Sequence, residues 1–206
     1  MPRLRLIAGP NGSGKTTLTD KLREEFDVPL GQYTNPDEIE LSLADLIADK
    51  QGRSIWAQKI SKDQREGWLQ KGISHSYESV MSHPSHIDYI NEANHKGFKS
   101  YLYYVCLPDP LINTQRVKER VEMGGHPVPE SKILSRYNKS LDHLYDMASI
   151  CHRVYFFDNA VDLIPFAEKT PKGYLDIYQQ AYYKVQPDWF RLSVLKKWDP
   201  EKVRLA

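Results

Sequence analysis

Residues 6–18 read LIAGPNGSGKTTL, and within them Gly9–Thr16 fits the pattern G-x-x-x-x-G-K-[ST] completely. An apolar run at residues 3–8, RLRLIA, precedes this loop and is typical of a buried strand. The segment that follows, KTTLTDKLREEF, repeats apolar side chains four residues apart and therefore predicts a helix with one apolar face. A strand, a glycine-rich loop and a helix in this order form the setting in which the pattern binds phosphate.

The loop has the chemistry needed to hold a nucleoside triphosphate. Gly12 and Gly14 let successive backbone N–H groups turn inward on phosphate oxygens, and the following helix adds the positive end of its dipole. Lys15 can reach the β and γ phosphates, and the Thr16 hydroxyl can ligate Mg²⁺. The predicted nucleotide-binding residues are Gly9, Pro10, Asn11, Gly12, Ser13, Gly14, Lys15, Thr16 and Thr17.

Two other classes of protein that use this loop are disfavoured by the rest of the chain. A GTPase needs an N-K-x-D motif to read its base; the nearest match, NKSLD at residues 138–142, is one residue too long and lies in a predicted helix. A transporter-type ATPase needs a serine-glycine-glycine signature and an apolar strand that ends in an acid, whereas the longest core strand ends at Cys106-Leu107-Pro108. A kinase, with ATP as phosphate donor and separate residues that activate an acceptor hydroxyl, is therefore favoured.

The order of the predicted elements indicates an α/β protein. Strands alternate with helices as far as HRVYFF at residues 152–157. This alternation predicts a three-layer fold of the P-loop NTPase type, in which helices flank a mostly parallel central sheet. The segment PESKILSRYNKSLDHLYDMA, residues 129–148, reads as a single helix. The length of 206 residues suits one globular domain with a sizeable core.

We expect a P-loop kinase domain at residues 1–170, with a helical lid hairpin at about 110–140. The alternation of strands and helices stops near residue 171. Residues 171–206 are rich in Tyr and Trp and end with basic residues, and we expect this extension to pack on the same domain through its aromatic side chains. A surface for a partner is the alternative interpretation of this segment.

Composition gives few signs of special partners or of a special compartment. The net charge is +1, so binding to nucleic acid or to a membrane surface would need a local basic patch. Of the two cysteines, Cys106 lies in an apolar run and reads as a buried thiol, and nothing suggests a disulfide framework or a zinc site. Because no apolar stretch is long enough to span a bilayer, we expect a cytoplasmic protein.

An acidic residue near the predicted second strand is a candidate general base. The segment NPDEIELS supplies Asn35 as a helix N-cap and Pro36 at the first helical position, followed by Asp37 and Glu38. Asp37 follows the strand, and the carboxyl ends of neighbouring parallel strands share one crevice, so it can reach an acceptor hydroxyl. The helix dipole alone also favours acids here, and this explanation suffices for Glu38.

A second candidate carboxylate ends the predicted third strand, in HSYES at residues 75–79. Glu78 lies beside the hydroxyl of Ser79, and such a pair can bind a sugar or another polyol. Glu78 can instead lie near Mg²⁺, or it can be a polar residue on an edge strand. We predict Glu78 and Ser79 as substrate-binding residues.

Arginines are concentrated in the predicted hairpin. Arg116 and Arg120 lie four residues apart on one helix face, and Arg136 lies on the next helix, beyond a Gly-Gly-His turn that ends at His126. Two helices joined by glycines, with arginines on the inside, can form a lid that excludes water and neutralises moving phosphate charge. A solvated charged hairpin is the alternative. His126 can contact a phosphate or lie in an exposed loop.

The ordered set GPNGSGKTT, NPDEI, YES, RV-x-x-RV-x-x-GGH-x-VPE with a later RY, and FDN resembles the zeta-toxin-like P-loop kinases, in particular their chromosomal branch. The resemblance covers about residues 3–160. It implies an ATP- and Mg²⁺-dependent phosphotransferase that phosphorylates a hydroxyl of UDP-N-acetylglucosamine. It also implies a catalytic role for Asp37, substrate binding by Glu78, and a phosphate grip by the arginines of the hairpin.

The chain departs from the family pattern at two places. The family commonly has E-T-T where this chain has Glu78-Ser79-Val80, and N-A-D where this chain has Pro36 before Asp37. The first departure leaves the identity of the acceptor open: it can be another sugar nucleotide or another small hydroxylated molecule. A toxin of this kind would need a separate antitoxin protein as its partner.

Two alternatives to a sugar-nucleotide kinase remain at this point. A polynucleotide-end or nucleoside-type kinase would use the aromatic and basic segment at residues 171–206 to bind nucleic acid, although the balanced net charge makes nucleic acid the weaker expectation. A catalytically silent ATP-binding module would bind ATP and a protein partner without phosphoryl transfer.

Overall fold

The computed structural model describes residues 1–125 and 127–206. The strands are β1 (Arg3–Ala8), β2 (Gln32–Thr34), β3 (His75–Ser79), β4 (Lys99–Cys106), β5 (Arg153–Asp158), β6 (Ile164–Lys169), β7 (Leu175–Ile177) and β8 (Val203–Leu205). The α-helices are α1 (Lys15–Glu24), α2 (Pro36–Ser42), α3 (Lys50–Gln70), α4 (Ser85–His95), α5 (Pro110–Glu122), α6 (Glu130–Asp142), α7 (Leu144–Ile150), α8 (Gln179–Val185) and α9 (Asp188–Ser193).

The strands form a single sheet in the order β2-β3-β1-β4-β5-β6-β7-β8. The first five strands in this order are parallel, β6 is antiparallel to both of its neighbours, and β7 pairs in parallel with β8. The predicted α/β fold with a mostly parallel sheet is confirmed. Because β1 lies between β3 and β4, the loop after β1 opens at the centre of the carboxyl edge, where the chain reverses its strand order.

Hydrophobic side chains cover both faces of the sheet. Alternate residues of β1 belong to two separate buried clusters, with Leu4 and Leu6 in one and Ile7 in the other. The second cluster also contains Leu18 and Leu22, which attach α1 to the sheet directly behind the glycine loop. This burial on both faces explains why the strands read as continuous apolar runs.

Residues 171–206 extend the same sheet and its core. β7 pairs with β6, and β8 at the end of the chain pairs with β7. Trp189 and Phe190 of α9 are buried in the larger cluster, with 4% and 0% of their surface exposed. These rings are occupied by packing and are not free to stack on nucleic-acid bases. The functional division at residue 170 stays a prediction.

The predicted single helix over residues 129–148 is wrong in one respect, because the chain forms two helices that meet at His143. Leu144 and Met147 of α7 are fully buried in the larger cluster, whereas α6 buries Ile133 and Tyr137 on its own inner face. The break lets each helix turn its own apolar side chains toward the core.

The predicted lid hairpin corresponds to α5, α6 and the chain between them. Asp109 caps α5 by accepting a hydrogen bond from the Leu111 N–H, and Lys118 of α5 lies 3.5 Å from Glu130 of α6. Its motion over a nucleotide stays a prediction, and His126 lies outside the described residues. None of the helices in the described ranges is long and apolar enough to cross a membrane.

Candidate active site

The glycine loop joins β1 to the first turn of α1, and two of its glycines are required by their surroundings. Gly14 is the N-cap of α1 with φ 94°, and a Cβ there would lie 2.1 Å from Asn159 Nδ2. Gly12 has φ 74°, and a Cβ there would lie 2.7 Å from the Asn113 carbonyl oxygen. Both positions combine a left-handed backbone with close approach of a neighbour, so only glycine fits without strain.

Two asparagines that the sequence analysis missed fix the shape of this loop. Asn113 of α5 donates from Nδ2 to the Asn11 carbonyl oxygen at 2.6 Å, and Asn159 donates from Nδ2 to the Ser13 carbonyl oxygen at 2.9 Å. The Ser13 hydroxyl is buried, and no hydrogen-bond partner for it is found among the described residues. A fixed loop with a buried hydroxyl at the N-terminus of a helix fits a bound phosphate group.

Lys15 lies where most of the predicted catalytic residues meet. Its ammonium donates to the carbonyl oxygens of the first two loop residues at 3.0 and 3.1 Å. Burial lowers the pKa of Lys15, the charges of Glu78 and Asp37 raise it, and those of Arg120 and Arg136 lower it. The structure therefore brings two carboxylates and two guanidinium groups, from four separate elements, within electrostatic range of one ammonium.

Glu78 is held in a fixed position at the carboxyl end of β3, beside Ile7 of β1. Only 5% of its surface is exposed, and its Oε1 accepts hydrogen bonds from the Thr19 hydroxyl at 2.6 Å and the Tyr33 hydroxyl at 2.8 Å. Burial, followed by the charge of Glu78, raises the pKa of the Tyr33 phenol. Thr19 lies four residues after Lys15 on α1, and this helical spacing was the available sequence signal for its role.

Replacing Tyr33 by phenylalanine is expected to raise the KM for the acceptor about tenfold, because a hydrogen bond to a charged group is lost from a buried site. The KM for ATP is expected to stay constant, since Tyr33 contacts Glu78 and not the loop. Steady-state kinetics with each substrate varied in turn measures both values. Tyr145→Phe on α7 is the matched control, and an unchanged acceptor KM in Tyr33→Phe would show that Tyr33 does not position Glu78.

Asp37 lies at the start of α2, where the Asn35 side chain accepts a hydrogen bond from its N–H at 3.0 Å. The Asp37 side chain is exposed, and it lines a cavity of about 290 Å³ beside the glycine loop. Lys15, Glu78 and Arg136 line the same cavity. The opening beside the loop thus offers an acceptor hydroxyl contact with two carboxylates and two cations.

The lining of this cavity also contains residues that sequence reasoning did not identify, among them Arg65 of α3 and His86 of α4. His86 Nε2 lies 2.9 Å from the Ser79 hydroxyl oxygen, and this oxygen accepts a hydrogen bond from the Met81 N–H at 3.0 Å. Burial lowers the pKa of His86 to about 4, with a further contribution from the charge of Arg65. Burial keeps His86 neutral at pH 7, and its ring fixes the Ser79 hydroxyl, which lines the same cavity.

His86 is expected to make stability depend on pH. In the folded protein the pKa of His86 is about 4, below the value of about 6.5 in the unfolded chain. As the pH is lowered, the unfolded chain is therefore protonated first, and the free energy of unfolding decreases from about pH 6.5 down to about pH 4. The loss in wild type should exceed that in His86→Gln by roughly 2 kcal/mol. Urea unfolding at several pH values between neutrality and this folded pKa measures the difference, and parallel pH profiles for the two proteins would contradict it.

The three predicted arginines do not act at one place. Arg120 and Arg136 act on Lys15, whereas Arg116 donates from Nη2 to the Ala160 carbonyl oxygen at 2.9 Å. Arg116 thus lies against the loop after β5. Its predicted part in catalysis stays a prediction.

Thr16 and Thr17 are exposed in the first turn of α1. A Mg²⁺ that accompanies a bound nucleotide would find the Thr16 hydroxyl as a ligand, which is the chemistry this metal prefers. Within the described ranges, no cluster of three or more His, Cys, Asp or Glu could hold a metal ion. The metal role of Thr16 therefore stays a prediction.

Comparison with known proteins supports the same type of fold. No family model matches the chain. An uncharacterized protein of Haemophilus influenzae is 28% identical over 134 residues, which are 63% of this chain and 88% of that protein.

Two solved structures share the fold at low sequence identity. The AvrRxo1-ORF1:ORF2 complex with ATP matches with a TM-score of 0.66 and 20% identity, over 90% of this chain and 63% of the matched chain. The PezAT chromosomal toxin–antitoxin system of Streptococcus pneumoniae matches with a TM-score of 0.59 and 13% identity, over 98% and 82%. The chain thus spans less than two thirds of the AvrRxo1 chain. Both matches confirm the α/β fold that the sequence predicts.

Proposed function

We propose that this protein is a zeta-toxin-like kinase that transfers the γ-phosphate of ATP to a hydroxyl of a sugar nucleotide of the UDP-N-acetylglucosamine type. One observation carries the proposal: Lys15, Asp37, Glu78 and Arg136 line one cavity beside the glycine loop. A nucleotide-binding module without transferase activity has no need of a carboxylate pair at this point. The AvrRxo1 complex, which was solved with ATP, supports ATP as donor.

On the donor side, the loop and Lys15 hold the phosphates of ATP, and Mg²⁺ bound by Thr16 supplies further charge neutralisation. The Lys15 ammonium donates hydrogen bonds to loop carbonyl oxygens. It is therefore close enough to contact phosphates bound by the same loop. Arg120 and Arg136 balance the charge that shifts toward the bridging oxygen as the phosphoryl group moves.

On the acceptor side, Asp37 takes the proton of the attacking hydroxyl. A bond forms between that oxygen and the γ-phosphorus, while the bond from the γ-phosphorus to the bridging oxygen breaks and ADP leaves. Glu78 orients the acceptor: its described hydrogen bonds both end on Oε1, which leaves Oε2 to accept a second hydroxyl. The Ser79 hydroxyl offers one further hydrogen-bonding group in the same cavity.

A separate antitoxin protein is the partner that we propose. The PezAT system is a toxin–antitoxin pair, and AvrRxo1-ORF1 is found in complex with ORF2. The cytoplasm, where ATP and nucleotide sugars are abundant, is the compartment we propose for the reaction.

Incubation of the wild-type protein with γ-labelled ATP, Mg²⁺ and a panel of UDP-sugars tests this function. We expect label to pass to at least one sugar nucleotide and ADP to form in equal amount. A polynucleotide-end kinase would instead label oligonucleotides offered in parallel. Binding of ATP without transfer to any of these acceptors would overturn the proposal in favour of a silent ATP-binding module.

A further inference from the structure

Arg65 occupies an unusual position on the wall of the acceptor cavity. It lies on α3, which supplies none of the residues predicted from the sequence, and it is half-buried. Its guanidinium carbon lies 4.3 Å from the centroid of the Tyr77 ring and 5.2 Å from that of Tyr89. Two aromatic rings thus hold the guanidinium group in one place, which lowers the entropy it would lose on binding a ligand.

Arg65 has few polar partners among the described residues, and the Tyr77 hydroxyl is one of them. Its Nε donates to the Ser61 carbonyl oxygen at 3.3 Å. The ion pairs among residues 1–125 and 127–206 do not include Arg65. A half-buried cation that packs on aromatic rings and has no carboxylate partner in the described chain is suited to an anion from outside.

Two sets of charges act at this cavity, one on Lys15 and the other on His86. The groups that act on Lys15 are Glu78, Asp37, Arg120 and Arg136, at the glycine loop. The second group is centred on His86, on which the charge of Arg65 acts together with those of His83 and His143. The first group contains the carboxylates that can bind hydroxyls, whereas the charges that act on His86 include no carboxylate.

We propose that Arg65 binds an anionic phosphate of the acceptor, whose reactive hydroxyl lies at the carboxylates that line the same cavity. This inference rests on the proposed kinase function and assigns the residue that would bind a phosphate of such an acceptor. A guanidinium group binds phosphate oxygens through two parallel hydrogen bonds, which fixes the orientation of the ligand as well as its charge. Uncharged sugars and polyols would lack this contact.

Calorimetric binding in the presence of a non-hydrolysable ATP analogue tests the inference without requiring catalysis. The probes are N-acetylglucosamine, N-acetylglucosamine 1-phosphate and UDP-N-acetylglucosamine, which separate a sugar phosphate from a nucleotide sugar. We expect wild type to bind a phosphorylated probe at least about tenfold more tightly than the neutral sugar, and Arg65→Gln to lose most of this preference. Lys59→Gln, an exposed cation on the same helix, should leave the preference intact.

Several outcomes would overturn the inference. One is equal binding of neutral and phosphorylated probes by wild type, which does not depend on how any variant folds. Another is an unchanged preference in Arg65→Gln while the ATP analogue still binds. Arg65→Lys keeps the charge but not the paired donors, and we expect it to weaken phosphate binding by several-fold.

The proposed function and this inference fail in different ways. If a phosphorylated probe binds through Arg65 but no label passes from ATP to any acceptor, the proposed kinase function is contradicted and the proposed phosphate site at Arg65 is supported. If label passes to neutral sugars as fast as to phosphorylated ones, the proposed kinase function is supported and the proposed phosphate site at Arg65 is contradicted.

Discussion

Replacing Asp37 by asparagine is expected to lower kcat for phosphoryl transfer by about 10²- to 10⁴-fold, the usual contribution of a general base. Asparagine keeps the size of the side chain, and the N-cap bond from the Asp37 N–H to Asn35 does not depend on it. The KM for ATP should therefore change little. Steady-state kinetics with an accepted sugar nucleotide measures the effect.

Glu38 provides the matched control for Asp37. It is the next residue of α2 and also an exposed carboxylate, but it does not line the cavity. Glu38→Gln is expected to keep activity within about threefold of wild type, consistent with a surface substitution. If Asp37→Asn were as active as this control, Asp37 would not be the base.

Replacing Lys15 by methionine is expected to lower kcat/KM for ATP by about 10³-fold, comparable with the loss of a preorganised charge from a transition state. Methionine retains an unbranched apolar side chain, so packing of the loop is largely kept. Two carboxylates and two guanidinium groups remain around this position. Neither guanidinium group takes the place of the Lys15 ammonium at the loop. Kinetics with varied ATP measures the loss.

Lys21→Met is the control for this substitution. Lys21 lies on the same helix, is partly exposed and pairs with Glu25 at 3.2 Å. Its replacement should leave kcat/KM for ATP within about twofold, since exposed ion pairs contribute little. Full activity of Lys15→Met would mean that the glycine loop does not hold the transferred phosphate.

The part of the site that could be predicted consists of residues whose local sequence already specifies their position. The glycine loop is defined by spacing, Asp37 follows the short strand β2, and Glu78 lies at the carboxyl end of β3. Parallel strands end at the same edge of the sheet, so these two carboxylates approach Lys15 without any further information. The alternation of strands and helices likewise predicted the parallel part of the sheet.

The residues that were missed come from elements whose facing side chains the local sequence does not reveal. Arg65 lies in the last third of α3 and His86 near the start of α4, and the direction of each side chain depends on how its helix packs against the sheet. Asn113 and Asn159 are distant in sequence from the loop they bind. No periodic pattern connects such residues, so only the assembled structure shows that they meet.

Residues 171–206 and the region near His143 show where tertiary packing overrides local sequence patterns. The aromatic composition of residues 171–206 predicted packing but gave no sign that the last strand returns to pair with β7. The helical pattern over residues 129–148 continues through His143, but burial of Leu144 and Met147 in the core needs a change of helix direction there. Both features depend on long-range contacts.

One measurement tests the central claim most directly, that the glycine loop is the donor half of a kinase site. Wild type and Asp37→Asn are incubated with γ-labelled ATP and a cell metabolite extract, and labelled products are identified by mass. The account predicts a product of wild type that is one phosphate heavier than a phosphorylated, hydroxyl-bearing metabolite, and loss of that product in Asp37→Asn. Release of label only as inorganic phosphate, at equal rates in both proteins, would contradict it.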